Sequence, residues 1–315
     1  MQTFYHLSYT SHDEVMYRNA EDMRHAFLSL CLALHQTQSR CLAEVFLTTH
    51  HHGAYLTDHP TALIRQSRLS YTQYFNARYH RKGPLGDPGC FVHVLEGLRH
   101  QIAALSYIIK NPVHHGITGM PFEYPYGSAN SYFRKELGKD TSPSALLSVS
   151  EIQRSIPRHA SFNPSWKMGP DNAFLRESVL ETAIVENMYS TPQAYLFMVT
   201  RKSGEDWYKE QEKDGNHEPP VTLEVMESAM EREEEYPQKY ISEMLRNERK
   251  RFDSLRQTDL DLCNVIDLEY LPRFGVSSVY LLRNEQKNRL ANTLYDSFHV
   301  SVRQIRRCLA MNEKE

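Results

Sequence analysis

Three consecutive histidines stand in "TTHHHGAYL", residues 48 to 56. Imidazole is a common metal ligand and the side chain that exchanges a proton near neutral pH. The surrounding residues read as one or two strands, so the run is expected on a strand, where side chains alternate between faces. His50 and His52 then point one way and His51 the other. Two imidazoles on one face, about 7 Å apart along the backbone, can converge on one divalent ion. The alternative is a surface or hydrogen-bonded histidine pair that binds no metal.

A second stretch supplies complementary chemistry. In "LEGLRHQIAALSYIIKNPVHHG", residues 95 to 116, the spacing predicts a helix from about Leu95 to Lys110. Leu95, Leu98, Ile102, Leu105 and Ile109 fall at three- and four-residue intervals and are expected to form its buried stripe. Tyr107 lies off that stripe, and Asn111 follows it by one turn on the same face. Ala103 and Ala104 leave space beside the tyrosine ring. A phenol and a carboxamide on one helix face can complete a site opposite the strand histidines, with Asn111 as third ligand. The alternative is a packed tyrosine at a helix end, with Asn111 capping the helix before Pro112.

The elements that must hold these groups alternate along the first 125 residues. "TFYHLSYTS" alternates apolar and polar like a half-buried strand, and "AEDMRHAFLSLCLALHQTQ" has helical spacing through Met23, Phe27, Leu30 and Leu34. "PTALIRQSRLSYTQYFNARYHRKG" reads as a helix ended by Gly83-Pro84, and "GCFVHV" as a further strand. Helices interleaved with strands over this length imply an α+β fold, an antiparallel sheet with helices packed on it. Beyond residue 140 the pattern is mostly helical. "NAFLRESVLETAIVENMY" and "LEVMESAMEREEEYPQKYISEMLRNERKRFDSL" are the clearest helices, and "KSGEDWYKEQEKDGNHEPP" reads as a charged connection. Near the end, Ser301 is a candidate N-cap for a basic helix carrying Arg303, Gln304, Arg306 and Arg307.

Composition bounds the function. The chain has 315 residues, 40% hydrophobic, long enough for one or two domains. No apolar run approaches the roughly 18 residues that span a bilayer. The N-terminus lacks a secretory signal, so a cytoplasmic location is expected. Five cysteines without a CxxC pair fit reduced thiols. A net charge of −3 argues against nucleic-acid binding by overall charge. The distribution matters more, because residues 62 to 110 carry seven basic side chains against two acidic ones. Arg65, Arg68, Arg78, Arg81 and Lys82 can track phosphates there. Tyr71, Phe75 and Tyr79 fit a helix core better than a stacking platform.

With these motifs in place, the chain resembles the single-tyrosine HUH transposases, including the REP-associated tyrosine transposases. In that family a strand ends in a His-apolar-His motif, and a later helix reads like "YIHLNPVRAG". This chain has "LTTHHHGAYL" and "YIIKNPVHHG" in that order. His51 stands where the family has an apolar residue, Thr49 where Asn is usual, and His114-His115 where Arg-Ala is common. The resemblance implies an HUH nuclease core with ferredoxin-like topology over residues 1 to 135. It implies a helix-turn-helix-like DNA-binding tail over 271 to 315, carrying "LANTLYDSFHVSVRQIRRCLAM", and leaves 136 to 270 as a helical region of unknown role. Carried over residue by residue, it makes Tyr107 the nucleophile, and gives a Mg²⁺ or Mn²⁺ ion to His50, His52 and Asn111. The implied activity is cleavage and rejoining of single-stranded or hairpin DNA through a 5′-phosphotyrosine, by a monomer or homodimer. Two other classes remain open: a domesticated protein that binds repeats or hairpins without cutting, and a zinc hydrolase built on the histidine run.

Overall fold

The computed structural model describes residues 2–139, 145–200, 257–298 and 300–311. The charged connection and the long helix expected after it lie outside these residues. The N-terminal elements run β1 (Thr3–Thr10), α1 (Ala20–Gln36), β2 (Arg40–Leu47), β3 (His50–Thr57), α2 (Pro60–Tyr79), β4 (Phe91–Val94) and α3 (Leu98–His114). The four strands form one sheet in the order β2-β3-β1-β4, with every neighbouring pair antiparallel. This is the split βαβ arrangement of ferredoxin-like folds, in which each helix returns the chain to the far side of an existing strand. The α+β class expected from the interleaved patterns is therefore the observed one.

Strand register decides which residues share a face. β1 pairs with β3 so that His6 lies opposite Ala54, Ser8 opposite His52 and Thr10 opposite His50. Those residues, with Val45 and Leu47 of β2 and Phe91 and His93 of β4, form one face of the sheet. α3 rests chiefly on β2 and β3. α1 and α2 pack against each other and, through Phe27, Leu30, Tyr71 and Phe75, help form the core. Tyr71, Phe75 and Tyr79 are buried, as their spacing predicts.

The exposed edge of β2 is covered rather than left open, which a sheet edge requires. Phe46 N donates to Tyr126 O at 3.0 Å and Glu181 N to Cys41 O at 2.9 Å. Tyr124 Oη donates to Phe46 O at 2.6 Å and Tyr132 Oη to Leu42 O at 2.5 Å. The stretch after α3 thus serves as a strap over the sheet edge.

Three sequence expectations change in detail. α3 begins at Leu98 and runs through Pro112 to His114. Leu98, in the first turn of α3, is 56% exposed, while Leu95, Leu105 and Ile109 of the expected stripe are buried, joined by Ala104 and Ile108. "NAFLRESVLETAIVENMY" forms two short helices, Arg176–Val179 and Thr182–Tyr189, broken where Leu180 bridges to Cys41 of β2. α2 closes at Tyr79 on a left-handed His80, before Gly83-Pro84.

Near the end, helices Asn284–Ser297 and Val302–Cys308 follow one another, the second capped by the Ser301 hydroxyl accepting from Gln304 N at 3.1 Å. With helix Asp259–Val265 they enclose a separate apolar cluster that also takes in Val15 of the N-terminal unit. Arg18, 1% exposed, clamps the two together: its guanidinium donates to both Asp267 oxygens at 2.6 and 3.0 Å and to Cys308 O at 2.7 Å. Removing one partner of such a buried ionic bond strands the other charge.

Candidate active site

The β2–β3 hairpin is built to present the histidines. Its turn is Thr48-Thr49, and Thr48 O accepts from Met16 N at 2.8 Å while Thr49 O accepts from Ser11 N at 2.7 Å. Stitched in this way to the loop after β1, the turn holds the start of β3 in fixed register. His50, His51 and His52 are all buried, at 3%, 2% and 0% exposure, so none is a surface residue.

His51 faces away from the other two. Its ring stacks on Tyr9 at 5.0 Å between centroids and lies 4.3 Å from Phe46. The Tyr55 hydroxyl meets His51 Nε2 at 3.3 Å. Gly53 makes this possible: a Cβ there would lie 2.2 Å from the Tyr55 hydroxyl, so only glycine leaves room for that ring to fold back. The run "HHHGAY" therefore encodes a packed polar pair on one side of the strand.

On the opposite side, His50 and His52 meet α3. His50 Nε2 and Asn111 Oδ1 are 2.9 Å apart, and His50 Nδ1 lies 3.1 Å from Thr49 Oγ1. The Tyr107 ring stands edge-on to His52, with centroids 5.5 Å apart and an interplanar angle of 90°. Strand pair and helix pair thus come together as the spacing suggested. Asn111 is not a helix cap, because α3 continues past it; His115 N closes the helix onto Asn111 O at 3.0 Å, which leaves the carboxamide to face the strand. α3 is further pinned by Ser106, whose hydroxyl lies 2.8 Å from that of Tyr189.

Two residues at this site escaped the sequence reading. His6 of β1, fully buried, places Nε2 3.1 Å from His52 Nδ1, with the rings stacked at 5.2 Å. The His115 ring lies 4.5 Å from that of His50. The signal for His6 was the alternation in "TFYHLSYT", but only the β1–β3 register reveals that its face is that of His50 and His52.

Burial sets the charge state. Removal from water pushes His50 down to about 4, helped by the nearby charges of Arg307, His114 and His12 and opposed by the Asn111 contact. Burial and the neighbouring His93 push His6 down to about 3. His52 is driven well below the ordinary value, again by burial first and then by His6, His50, His51 and His115. These imidazoles are neutral at pH 7; His52 Nε2 and His6 Nδ1 are without partners, while His50 Nε2 donates to Asn111 Oδ1.

The donor set fits a hard or borderline divalent ion. Among the described residues no three His, Cys, Asp or Glu side chains converge as a metal site, so a site at this spot would draw on the Asn111 carboxamide. His52 Nε2, His6 Nδ1 and Asn111 Nδ2 are buried without a hydrogen-bond partner, a condition folded proteins seldom leave unrelieved. The 2.9 Å between His50 Nε2 and Asn111 Oδ1 matches two adjacent corners of an octahedron with ligand distances near 2.1 Å, about 3.0 Å apart. Two imidazoles and a carboxamide oxygen are all uncharged, so the set leaves the full charge of an ion for an anionic substrate.

The basic residues separate by position. Arg65 and Lys82 are exposed. Arg68 donates to the carbonyls of Leu85, Asp87 and Gly89 and lies over the Tyr9 ring at 5.0 Å. Arg78 pairs with Glu21 at 2.6 Å, and Arg81 binds both Glu14 carboxylate oxygens. In the last helix, Arg307 pairs with Asp259 at 2.8 Å and Gln304 Nε2 donates to Gln257 O at 3.0 Å, while Arg303 and Arg306 are partly exposed. The structure thus gives Arg68, Arg78, Arg81, Gln304 and Arg307 internal partners.

No family model and no curated protein matches the chain. A solved structure described as a REP-associated tyrosine transposase bound to a REP hairpin is 16% identical to it. That likeness covers 45% of this chain and 82% of the other, at a TM-score of 0.35. A superposition that loose does not by itself establish a shared fold. No helix among the described residues is long and apolar enough to cross a membrane.

Proposed function

We propose that the protein is a metal-dependent tyrosine transposase that cleaves and rejoins single-stranded or hairpin DNA. The observation that carries this reading is the meeting of Tyr107 and Asn111 with His52 and His50, four side chains from two elements at one buried spot. Hairpin DNA is the substrate class that the motif resemblance implies.

His50, His52 and Asn111 would hold a Mn²⁺ or Mg²⁺ ion, whose charge offsets that of a non-bridging phosphate oxygen and aligns the diester for in-line attack. The mixed imidazole and amide donors favour Mn²⁺ over Mg²⁺, since imidazole is the softer ligand. His6 turns His52 so that Nδ1 is occupied and Nε2 is the nitrogen left to bind, a role that outer partners of metal ligands commonly play.

Tyr107 Oη attacks phosphorus. A bond forms between them as the bond from phosphorus to the 3′ oxygen breaks. The electron pair leaves with that oxygen, which takes up a proton, and the phenol proton passes to solvent. A free phenol has a pKa of about 10 and needs such an electropositive setting to react near neutrality. The products are a 5′-phosphotyrosine and a 3′-hydroxyl. A later 3′-hydroxyl reverses the step, so rejoining needs no nucleotide cofactor.

The test is incubation of labelled single-stranded hairpin DNA with the protein and Mn²⁺, followed by denaturing electrophoresis. A covalent adduct from the wild type that Tyr107→Phe abolishes is expected. Absence of any wild-type adduct, or an equal adduct from the variant, refutes the proposal.

A second reading rests on its own observation. His50 and Asn111 bond each other directly, and Tyr107 is only 8% exposed, which is the arrangement expected of a protein that binds DNA without cutting. Tight binding with no adduct across divalent metals is its signature.

A further inference from the structure

β4 contributes an aromatic ledge beside the candidate nucleophile. Phe91 lies opposite Ser8 and His93 opposite His6, so both rings stand on the face that carries His50 and His52. α3 covers β2 and β3 on that face and leaves β4 at its margin. Phe91 and His93 are accordingly only partly buried. Their rings are nearly parallel, 13° apart, with centroids separated by 5.7 Å. His6 connects the ledge to the nucleophile, its ring 5.4 Å from that of Phe91 and 6.2 Å from that of Tyr107.

We infer that Phe91 and His93 form a stacking subsite for one unpaired nucleobase next to the phosphate attacked by Tyr107. This rests on the reading of the protein as a DNA strand transferase. Half-buried parallel rings at a sheet margin are the surface on which single-stranded bases stack, since every base offers a π-face and histidine serves as well as phenylalanine. The separation also limits how the base binds. Insertion between the rings would need two stacking distances of about 3.4 Å, more than the 5.7 Å present, so the base stacks on the open side of the pair. A duplex base, already stacked on both sides, does not fit. The subsite therefore selects an unpaired nucleotide at the cleavage point and separates it from the stem of a hairpin.

The experiment uses the full chain in the Tyr107→Phe background with Mn²⁺, so that binding is read without cleavage. The probe is a single-stranded oligonucleotide with 2-aminopurine placed at successive positions, whose fluorescence falls on stacking. One position is expected to be quenched on binding. Phe91→Ala should abolish that quenching and weaken binding about 10-fold or more, the loss of one base stack. Phe91→Trp should preserve both effects. If Phe91→Ala does not fold, Phe91→Leu, which keeps the apolar bulk and removes the π-face, decides. Val92→Ala, on the opposite face of the same strand, should leave quenching unchanged. Unchanged affinity and quenching in the Phe91 variants overturn the subsite and leave the proposed activity standing. Failure of the parent protein to bind any single-stranded probe overturns both.

Discussion

The two faces of β3 present the same side chain to different surroundings. His51 stacks on Tyr9, touches Phe46 and meets the Tyr55 hydroxyl, so its neighbours are core residues held by α1 and α2. His50 and His52 meet Asn111, Tyr107 and His6 and leave His52 Nε2 without a partner. Burial is nearly equal on the two sides. What differs is the kind of neighbour: His51 Nδ1 is also without a hydrogen-bond partner but lies among the rings of Tyr9, Phe46 and Tyr55, whereas the His50 and His52 side gathers a third imidazole, a carboxamide and a phenol around its unpartnered atoms. Several unpartnered polar atoms gathered at one spot point to a ligand more strongly than burial, a run of histidines or a single unused imidazole nitrogen does.

This contrast can be broken most severely at the proposed nucleophile. Tyr107→Phe should reduce covalent adduct to the level of a no-protein control while DNA affinity stays within about 2-fold, since the proposed attack needs the hydroxyl but packing needs only the ring. Equal losses in binding and adduct would instead make Tyr107 a structural residue. Next in size, His6→Phe should weaken Mn²⁺ binding about 10- to 100-fold, as removal of an outer partner of a metal ligand does. It should leave thermal stability close to that of the wild type. Calorimetric titration with Mn²⁺ in the absence of DNA checks this, and unchanged affinity would remove His6 from the site.

The opposite face predicts the opposite pattern. His51→Ala should destabilise the fold by about 2 to 4 kcal/mol, the range for emptying a buried ring-sized space, with metal affinity per folded molecule unchanged. Gly53→Ala should act in the same direction, by about 1 to 3 kcal/mol, because its Cβ collides with the Tyr55 ring. Denaturant unfolding beside metal titration separates the two faces, and a fall in metal affinity in either variant would erase the distinction.

Acid should affect both faces. His6 and His51 are pushed down to about 3 and His50 to about 4, in each case chiefly by burial, against 6.5 for the ordinary side chain. Between those values the unfolded chain binds more protons than the folded one, so stability is full above about 6.5 and declines as pH falls toward about 4. A melting temperature that stays flat from about pH 7 to about pH 5 would contradict the buried, neutral state of these rings. The smallest expected effect lies outside the site. Arg65→Ala and Lys82→Ala should each lower the salt dependence of DNA binding by about one ion, whereas Arg68→Ala should act on stability through the 85–89 loop it holds.

Much of the site was legible from spacing. Period two on a strand puts His50 and His52 on one face, and a four-residue step on a helix puts Asn111 beneath Tyr107. Both rules are local, and both hold here. The helix stripe was less legible: Leu98 fits the periodicity yet is exposed, because periodicity specifies a face but not how much of that face is covered. The basic residues were legible as charges only. Glu14, Glu21 and Asp259 lie at distances along the chain that no local pattern connects to Arg81, Arg78 and Arg307.

By itself the sequence determined which residues share a face within one element, since backbone geometry repeats at intervals of 2 and about 3.6 residues. It also determined the α+β alternation that brings a histidine strand and a tyrosine helix into one unit. Which elements meet, and in what register, was decided only by the tertiary structure. His6 joins His52, and Phe91 approaches His6, because β1 pairs with β3 and β4 at one register among several. That choice follows from burying every apolar face at once, a condition on the whole chain that no single segment carries.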